Sequence, residues 1–259
     1  MIGSMFFRKG PLPSVSFATS VWEKDWRPVL LDPEYLKVKQ IGNHAFPFAE
    51  KLLVINNVAD PAAVQAAAQA KVREGVLTRY VMAEEIASEA LRFFELERAD
   101  FRMGPDAPQY AGVNPDWIYY NALGPLVSLY ASLSPYLLYL TGDVRLDKRV
   151  DWIGKAIRRM ERSERLKVAN LVWNRRYDEA KRESYDREWN FFLAREGFSD
   201  QMFLVKRSDF CQPIYGKIRP DSEHFPRGDV FEKRAFSAMK NRGWERLIYR
   251  RGCYTHINF

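Results

Sequence analysis

Four residues of this 259-residue chain stand where chemistry could be done: Asp143, Asp200, Glu232 and His256. Asp143 follows the apolar run Tyr136-Leu-Leu-Tyr-Leu140 and the turn Thr141-Gly142. A carboxylate there would lie at the rim of a sheet and could ligate Mg²⁺ or Mn²⁺, hard cations that prefer oxygen. Such an ion would neutralise a departing diphosphate. The alternative for Asp143 is a cap on a helix starting near Leu146. Glu232 opens an expected helix that Gly243 would end, and a first-turn glutamate is also what the helix dipole favours. Asp200 lies just before the apolar run Met202–Lys206, beside Gln201, and a turn residue there explains it equally well. His256 lies close to the chain end, and a lone histidine is more commonly an ordinary surface or core residue.

These residues need elements to hold them. Ser14–Ser20 reads as a first strand and its exit, with Thr19 and Ser20 at its end. Lys51–Asn57 is a continuous apolar run ending in Asn56 and Asn57, as suits a strand covered on both faces. Asp60-Pro61 then supplies an N-cap and a first-position proline for an Ala-rich helix, which Gly75 stops. Val76–Val81 reads as the next strand, so the unit has the size of a βαβ crossover, about 30 residues. Further helices are expected over Ala83–Arg98, Trp117–Leu133, from Val150 through Met160, over Tyr177–Arg195 and over Phe231–Asn241. Strands are expected at Tyr136–Leu140, Val168–Trp173, Met202–Lys206 and Leu247–Tyr249. Residues 99–116 read as a long loop, and Trp22–Ala45 has no clean period and suggests an insertion after the first strand. The expectation is one α/β domain. In open α/β sheets ligands bind outside the carboxyl ends of the strands. Thr19, Asn56, Asn57, Asp60 and Asp143 all follow such ends, and small polar or acidic residues there suit a nucleotide or a cation.

Composition narrows the classes. With 47% hydrophobic and 28% charged residues the chain is neither disordered nor fibrous. The longest apolar candidate for a membrane span, Pro125–Leu140, is broken by Ser128, Ser132, Ser134 and Pro135. The N-terminus lacks a signal peptide's apolar stretch. Two cysteines, Cys211 and Cys253, build neither a disulfide framework nor a four-cysteine zinc site, so a cytoplasmic location is expected. No G-x-x-x-x-G-K-[ST] or G-x-G-x-x-G loop occurs, which argues against other nucleotide-using enzymes such as nucleotidyltransferases. The formal net charge of +7 points to an anionic partner.

The order of segments resembles the GT-A glycosyltransferases, especially the large family-two-like group. Ser14-Val-Ser-Phe-Ala-Thr19 stands at the first strand and Glu50–Asp60 at the strand closing on an Asp/Asn-rich turn. Tyr136–Leu146 stands at the strand ending in Asp-x-Asp, with Thr141 at the first acid and Asp143 at the second. Phe231-Glu232 through Gly243 to His256 matches the acid pair, helix and later histidine. The resemblance implies a GT-A-like (Rossmann-like) fold: a mixed, mainly parallel sheet flanked by helices, with a nucleotide-binding part over about 14–146 and an acceptor-binding part over about 147–259. It implies transfer of a hexose from a UDP- or GDP-sugar to a hydroxyl of a glycan or lipid-linked acceptor, as in surface polysaccharide or lipopolysaccharide synthesis. Asn57, Asn56 and Thr19 would contact the base or ribose. Asp143 would hold Mn²⁺ or Mg²⁺ on the diphosphate, with His256 as a second ligand. Glu232 would be the general base, which favours inversion, through a transition state of oxocarbenium character. Phe198-Ser-Asp-Gln-Met-Phe resembles acceptor-side residues of some polysaccharide-assembling transferases, which makes Asp200 the second candidate base. His44, Trp22, Asp25 and Trp26 could form an acceptor wall, although each also reads as structural.

Lys233, Arg234, Lys240, Arg242, Arg246, Arg250 and Arg251 crowd the C-terminal stretch, with Phe236, Trp244 and Tyr249 between them. They could lie on an anionic membrane surface beside a lipid-linked acceptor, or form the solvated face of a terminal helix. A non-catalytic protein that binds anionic lipid or nucleic acid through this stretch is the competing class. Nucleic acid is not expected, since no recognition motif accompanies the charge.

Overall fold

The computed structural model describes residues 10–102, 116–221 and 230–259. Its first half builds four parallel strands. β1 (Val15–Val21) leads to a short helix α1 (Trp26–Leu31), a π-helical turn over Tyr35–Ile41 and a 3-10 turn over Gly42–His44. β2 (Glu50–Ile55) feeds α2 (Pro61–Arg73) and β3 (Arg79–Met82). The α2 start is built as its sequence suggests: Asp60 Oδ1 accepts from Ala63 N at 3.0 Å and proline takes the first turn. Gly75, at φ +70°, turns the chain away. α3 (Ala83–Phe93), a 3-10 turn over Arg98–Phe101 and α4 (Trp117–Ala131) then lead to β4 (Tyr136–Thr141).

The second half adds β5 (Val144–Arg145), α5 (Ile153–Met160), β6 (Leu166–Trp173) and α6 (Tyr177–Glu183). The hairpin β7 (Ser184–Arg187) and β8 (Phe191–Ala194) follows, then β9 (Met202–Lys206), α7 (Arg207–Phe210), α8 (Phe231–Arg242) and β10 (Glu245–His256). The sheet order is β3-β2-β1-β4-β9-β6-β10-β8-β7, with β5 paired to β10. β3, β2, β1, β4, β6, β10 and β7 run one way, and β9 and β8 run against them. The result is a mixed, mostly parallel sheet flanked by helices. One apolar layer joins the sheet to α1, α2 and α5, and the other joins it to α3, α4 and α8. Burial on both faces explains the continuous apolar runs of β2 and β4.

Several expected elements differ. Residues 177–195 are not one helix: Ser184 leaves α6 in an extended conformation, and Phe191 and Phe192 fall on opposite sides of the sheet, in different apolar clusters. Tertiary pairing with β10 decided for strand over the helical pattern. Val76 and Leu77 are buried in a turn before β3 rather than in it. The last strand is far longer than Leu247–Tyr249 and carries His256 within it. Most of the expected loop 99–116 lies outside the described residues.

Candidate active site

β1, β2 and β4 are parallel, so their carboxyl ends share one edge of the sheet. β9 runs the other way and begins at that edge, where Thr141 N donates to Gln201 O at 3.0 Å. β10 ends there too. A cleft of about 470 Å³ opens along this edge, lined among others by Ser20, Trp22, Asn56, Asn57, Asp143, Asp200 and His256. Its residues come from segments far apart in sequence, as the carboxyl edge of an α/β sheet provides.

Asp143 is held from both sides. Thr141 Oγ1 donates to its Oδ1 at 2.7 Å, and His256 Nε2 lies 2.8 Å from its Oδ2. Burial alone would raise this carboxyl, but the bonds from His256 and Thr141 prevail and hold it below the usual range. The same bond to Asp143 raises His256 against the opposing effect of burial. No helix starts near Leu146: β5 follows the turn and α5 begins only at Ile153. The helix-cap explanation of Asp143 is therefore overturned. The turn itself is fixed by Gln40, whose Nε2 donates to the carbonyls of Thr141, Gly142 and Val144 at 3.1, 3.0 and 2.8 Å. Gly142 is required by close approach: a β-carbon there would meet the Asp25 carboxylate, with Cγ at 2.8 Å, and Ser20 O at 2.8 Å. Asp25 is buried, accepts from Trp22 N at 2.7 Å, and is pushed well up by burial, with Asp143 adding to the shift.

A carboxylate and an imidazole nitrogen this close form a mixed oxygen–nitrogen pair that fits one divalent cation of the Mn²⁺ type. Among the described residues no cluster of three or more His, Cys, Asp or Glu side chains could hold a metal.

Asn56 is 6% exposed; its Nδ2 donates to Tyr120 O at 2.6 Å, while its Oδ1 has no partner. Asn57 is exposed at the rim in the left-handed region (φ +49°), which asparagine tolerates better than most residues. Thr19, expected beside them, is fully buried between Leu53 and Leu140 and is not part of the cleft wall. It lies one step too deep in β1, within the paired strands, and Ser20 and Val21 beyond it line the cleft instead, with Ser20 Oγ 2.7 Å from Tyr139 Oη. Trp117, Tyr120 and Asn121 of α4 also line the cleft, and sequence reasoning missed them because that helix is mostly apolar and carries no acidic or basic residue.

A second pocket of about 330 Å³ lies over β6 and β10, walled by α6 and by the start of α8. Asp200 and Gln201 line both cavities. Glu232 faces only the second. Burial raises Asp200 to about 6 and Glu232 to about 7, with Asp200 adding to the shift of Glu232. The structure thus brings Asn56, Asn57, Asp143, Asp200 and His256 together in one cleft and sets Glu232 next door.

The other candidates separate. His44 is fully buried, accepts from Trp152 Nε1 at 3.0 Å and is pushed down by burial to about 3. Trp26 is also buried, and of the proposed wall only Trp22 and Asp25 reach the cleft. His224, the remaining histidine of the chain, lies outside the described residues. The basic C-terminal residues do not share a face. Arg234 and Arg246 are buried, Lys240 pairs with Glu196, and Arg251 stacks on Trp189 at 4.8 Å. No helix among the described residues is long and apolar enough to cross a membrane.

No protein-family model matches the sequence, and no curated protein matches it significantly. Solved structures do resemble the fold. GalNAc-T7 with UDP, GalNAc and Mn²⁺ superposes over 95% of this chain and 44% of its own, at 11% identity and TM-score 0.52. The mannosyltransferase PcManGT from Pyrobaculum calidifontis, in complex with GDP-Man and Mn²⁺, superposes over 95% of this chain and 60% of its own, at 12% identity and TM-score 0.53. The chain therefore spans about half the length of these two structures. At such identities the likeness concerns architecture alone, and the architecture is a GT-A-like fold.

Proposed function

We propose that this protein is a glycosyltransferase that moves a hexose from a nucleotide-diphosphate sugar to an acceptor hydroxyl, in the synthesis of a surface glycan or its lipid-linked precursor. One observation carries the reading: a cleft with Asn56 and Asn57 at one part and the Asp143–His256 pair at another meets a second pocket at Asp200. The two solved structures of similar fold contain UDP or GDP-Man together with Mn²⁺. Asn56 Oδ1, a buried acceptor without a partner, suits an N–H of the base, and Asn57 suits the ribose. Asp143 and His256 would hold Mn²⁺ or Mg²⁺, which when bound supplies positive charge to the leaving diphosphate.

In the transfer, the acceptor oxygen forms a bond to the anomeric carbon, the bond from that carbon to the diphosphate breaks, and the nucleoside diphosphate leaves. A carboxylate takes the acceptor's proton. Asp200 borders both cavities and is the better placed base; Glu232, one pocket away, is the second. A base on the acceptor side, across from the diphosphate, gives inversion. Calorimetry with UDP and GDP, with and without Mn²⁺, tests the reading. Metal-enhanced binding of one of them is expected, and failure of both to bind overturns it. The competing class, a non-catalytic binder of anionic lipid or nucleic acid, predicts salt-sensitive binding that survives Asp143→Ala and Glu232→Ala.

A further inference from the structure

The second pocket holds an uneven set of charges. Its two guanidinium groups are already committed. Arg246 Nη2 donates to Glu183 Oε2 at 2.7 Å, and Arg176 pairs with Glu179 at 3.1 Å while lying 4.1 Å over the Trp173 ring. Its two remaining carboxylates, Asp200 and Glu232, have no ion-pair partner among the described residues. The pocket as a whole therefore carries an uncompensated negative charge, in a half-buried place where water screens it poorly. That is the opposite sign to the chain's net +7.

A second observation points to a hydrogen-bond donor on the ligand. Asn170, on the pocket floor, is 5% exposed, and its Nδ2 donates to Leu171 O at 2.9 Å. That bond fixes the amide so that Oδ1 remains an acceptor, and Oδ1 has no partner. A buried acceptor left unpaired is costly, so it calls for an N–H or O–H from outside. Trp173 adds an aromatic wall of the kind on which a sugar ring can rest, and Arg246 Nε is an unpaired donor suited to a ring hydroxyl.

We propose that this pocket is the acceptor site and that its acceptor is a sugar carrying a protonated amine, held by Glu232 and Asp200 beside the hydroxyl that attacks. The proposal rests on the glycosyl-transfer reading given above. It excludes an acceptor whose phosphate or carboxylate must enter this pocket, because no free cation among the described residues of the pocket would meet it.

Three oligosaccharide probes of equal length test this near pH 7: a glucosamine tetramer, its N-acetylated counterpart and a galacturonate tetramer. Each is titrated calorimetrically into the whole protein. The amine-bearing tetramer is expected to bind roughly tenfold more tightly than the neutral one, and the acidic one least, against the pull of the protein's overall positive charge. Glu232→Gln should remove most of the preference for the amine while leaving the binding of the neutral tetramer within about twofold. Equal binding of amine and neutral probes, tighter binding of the acidic probe, or no binding of the amine overturns the proposal. Nucleotide diphosphate and Mn²⁺ binding in the first cleft is measured on the same samples. Its persistence with no amine preference sinks this inference alone, and its loss sinks the glycosyltransferase reading.

Discussion

The Asp143 carboxylate and the His256 imidazole meet at 2.8 Å although 113 residues separate them. The contact exists because β10 pairs with β5 directly after the Asp143 turn, with His256 opposite Val144 and Ile257 N donating to Asp143 O at 3.0 Å. Asp143→Asn should therefore weaken Mn²⁺-dependent nucleotide binding at least about tenfold, since it removes the only charged oxygen of the pair. His256→Ala should do the same with a smaller effect. Isothermal titration of the nucleotide at several Mn²⁺ concentrations reads both, and undiminished metal dependence in Asp143→Asn would remove this pair from the metal's ligands.

The two raised carboxyls give a pH signature. A general base must be ionised, so kcat/KM should rise with pH and level off above about 6 if Asp200 is the base, or above about 7 if Glu232 is. Asp200→Asn should lower kcat by about 10²- to 10⁴-fold, the usual worth of a positioned base. Glu232→Gln should leave the rise in place and act mainly on acceptor KM. The reverse pattern of kcat losses would exchange the two roles.

Stability should show the same groups with the opposite trend. Each carboxyl binds its proton more tightly in the folded chain than in the unfolded one, so the folded chain holds more protons between the ordinary carboxylate range and about 7. Stability therefore falls as pH rises through that window. Glu232→Gln removes one such group and should raise Tm above pH 7 relative to the parent, with little difference at pH 5. Thermal melts across that range would show it, and a Tm that climbs with pH in the parent but not in the variant would contradict the assignment.

Gly142→Ala should disturb the Asp143–His256 pair without touching either member. The new methyl meets the Asp25 carboxylate and the Ser20 carbonyl, and the turn must move, at a cost of about 1–3 kcal/mol. Gly216→Ala is the control: nothing lies within 4 Å of its β-carbon, so a change within about 0.5 kcal/mol is expected. Chemical denaturation compares the two.

Trp152→Phe tests the buried histidine. It strips His44 Nδ1 of its donor and should cost about 1–3 kcal/mol in stability. Nucleotide affinity should not change. A loss of binding with intact stability would return His44 to the list of ligand contacts.

Sequence reading succeeded where local signals and burial agree. The apolar runs of β2 and β4, the Asp60-Pro61 start of α2 and the Gly243 end of α8 are each specified by a few neighbouring residues. The place of Asp143, Asn56 and Asn57 at the carboxyl edge of the sheet was readable because they follow such strands directly. Thr19 was misplaced by one residue, and in a strand one residue is the difference between the core and the cleft. The hairpin Ser184–Ala194 was missed because its polar edge strand fits a helical pattern until its partner β10 is known. The shared position of Asp200 depends on β9 running against its neighbours, a relation between strands that no local pattern records.

β10 carries Arg246 of the second pocket near its start and His256 of the first at its end, and its pairing with β6 slips between Tyr249 and Cys253. That irregularity works as a phase adjuster. The strand is aligned once at the second pocket and again at the Asp143 turn, so one continuous segment serves two cavities whose alignments need not agree. A single-residue deletion within 250–252 would be taken up inside the slip, leaving Arg246 and His256 each in its own register.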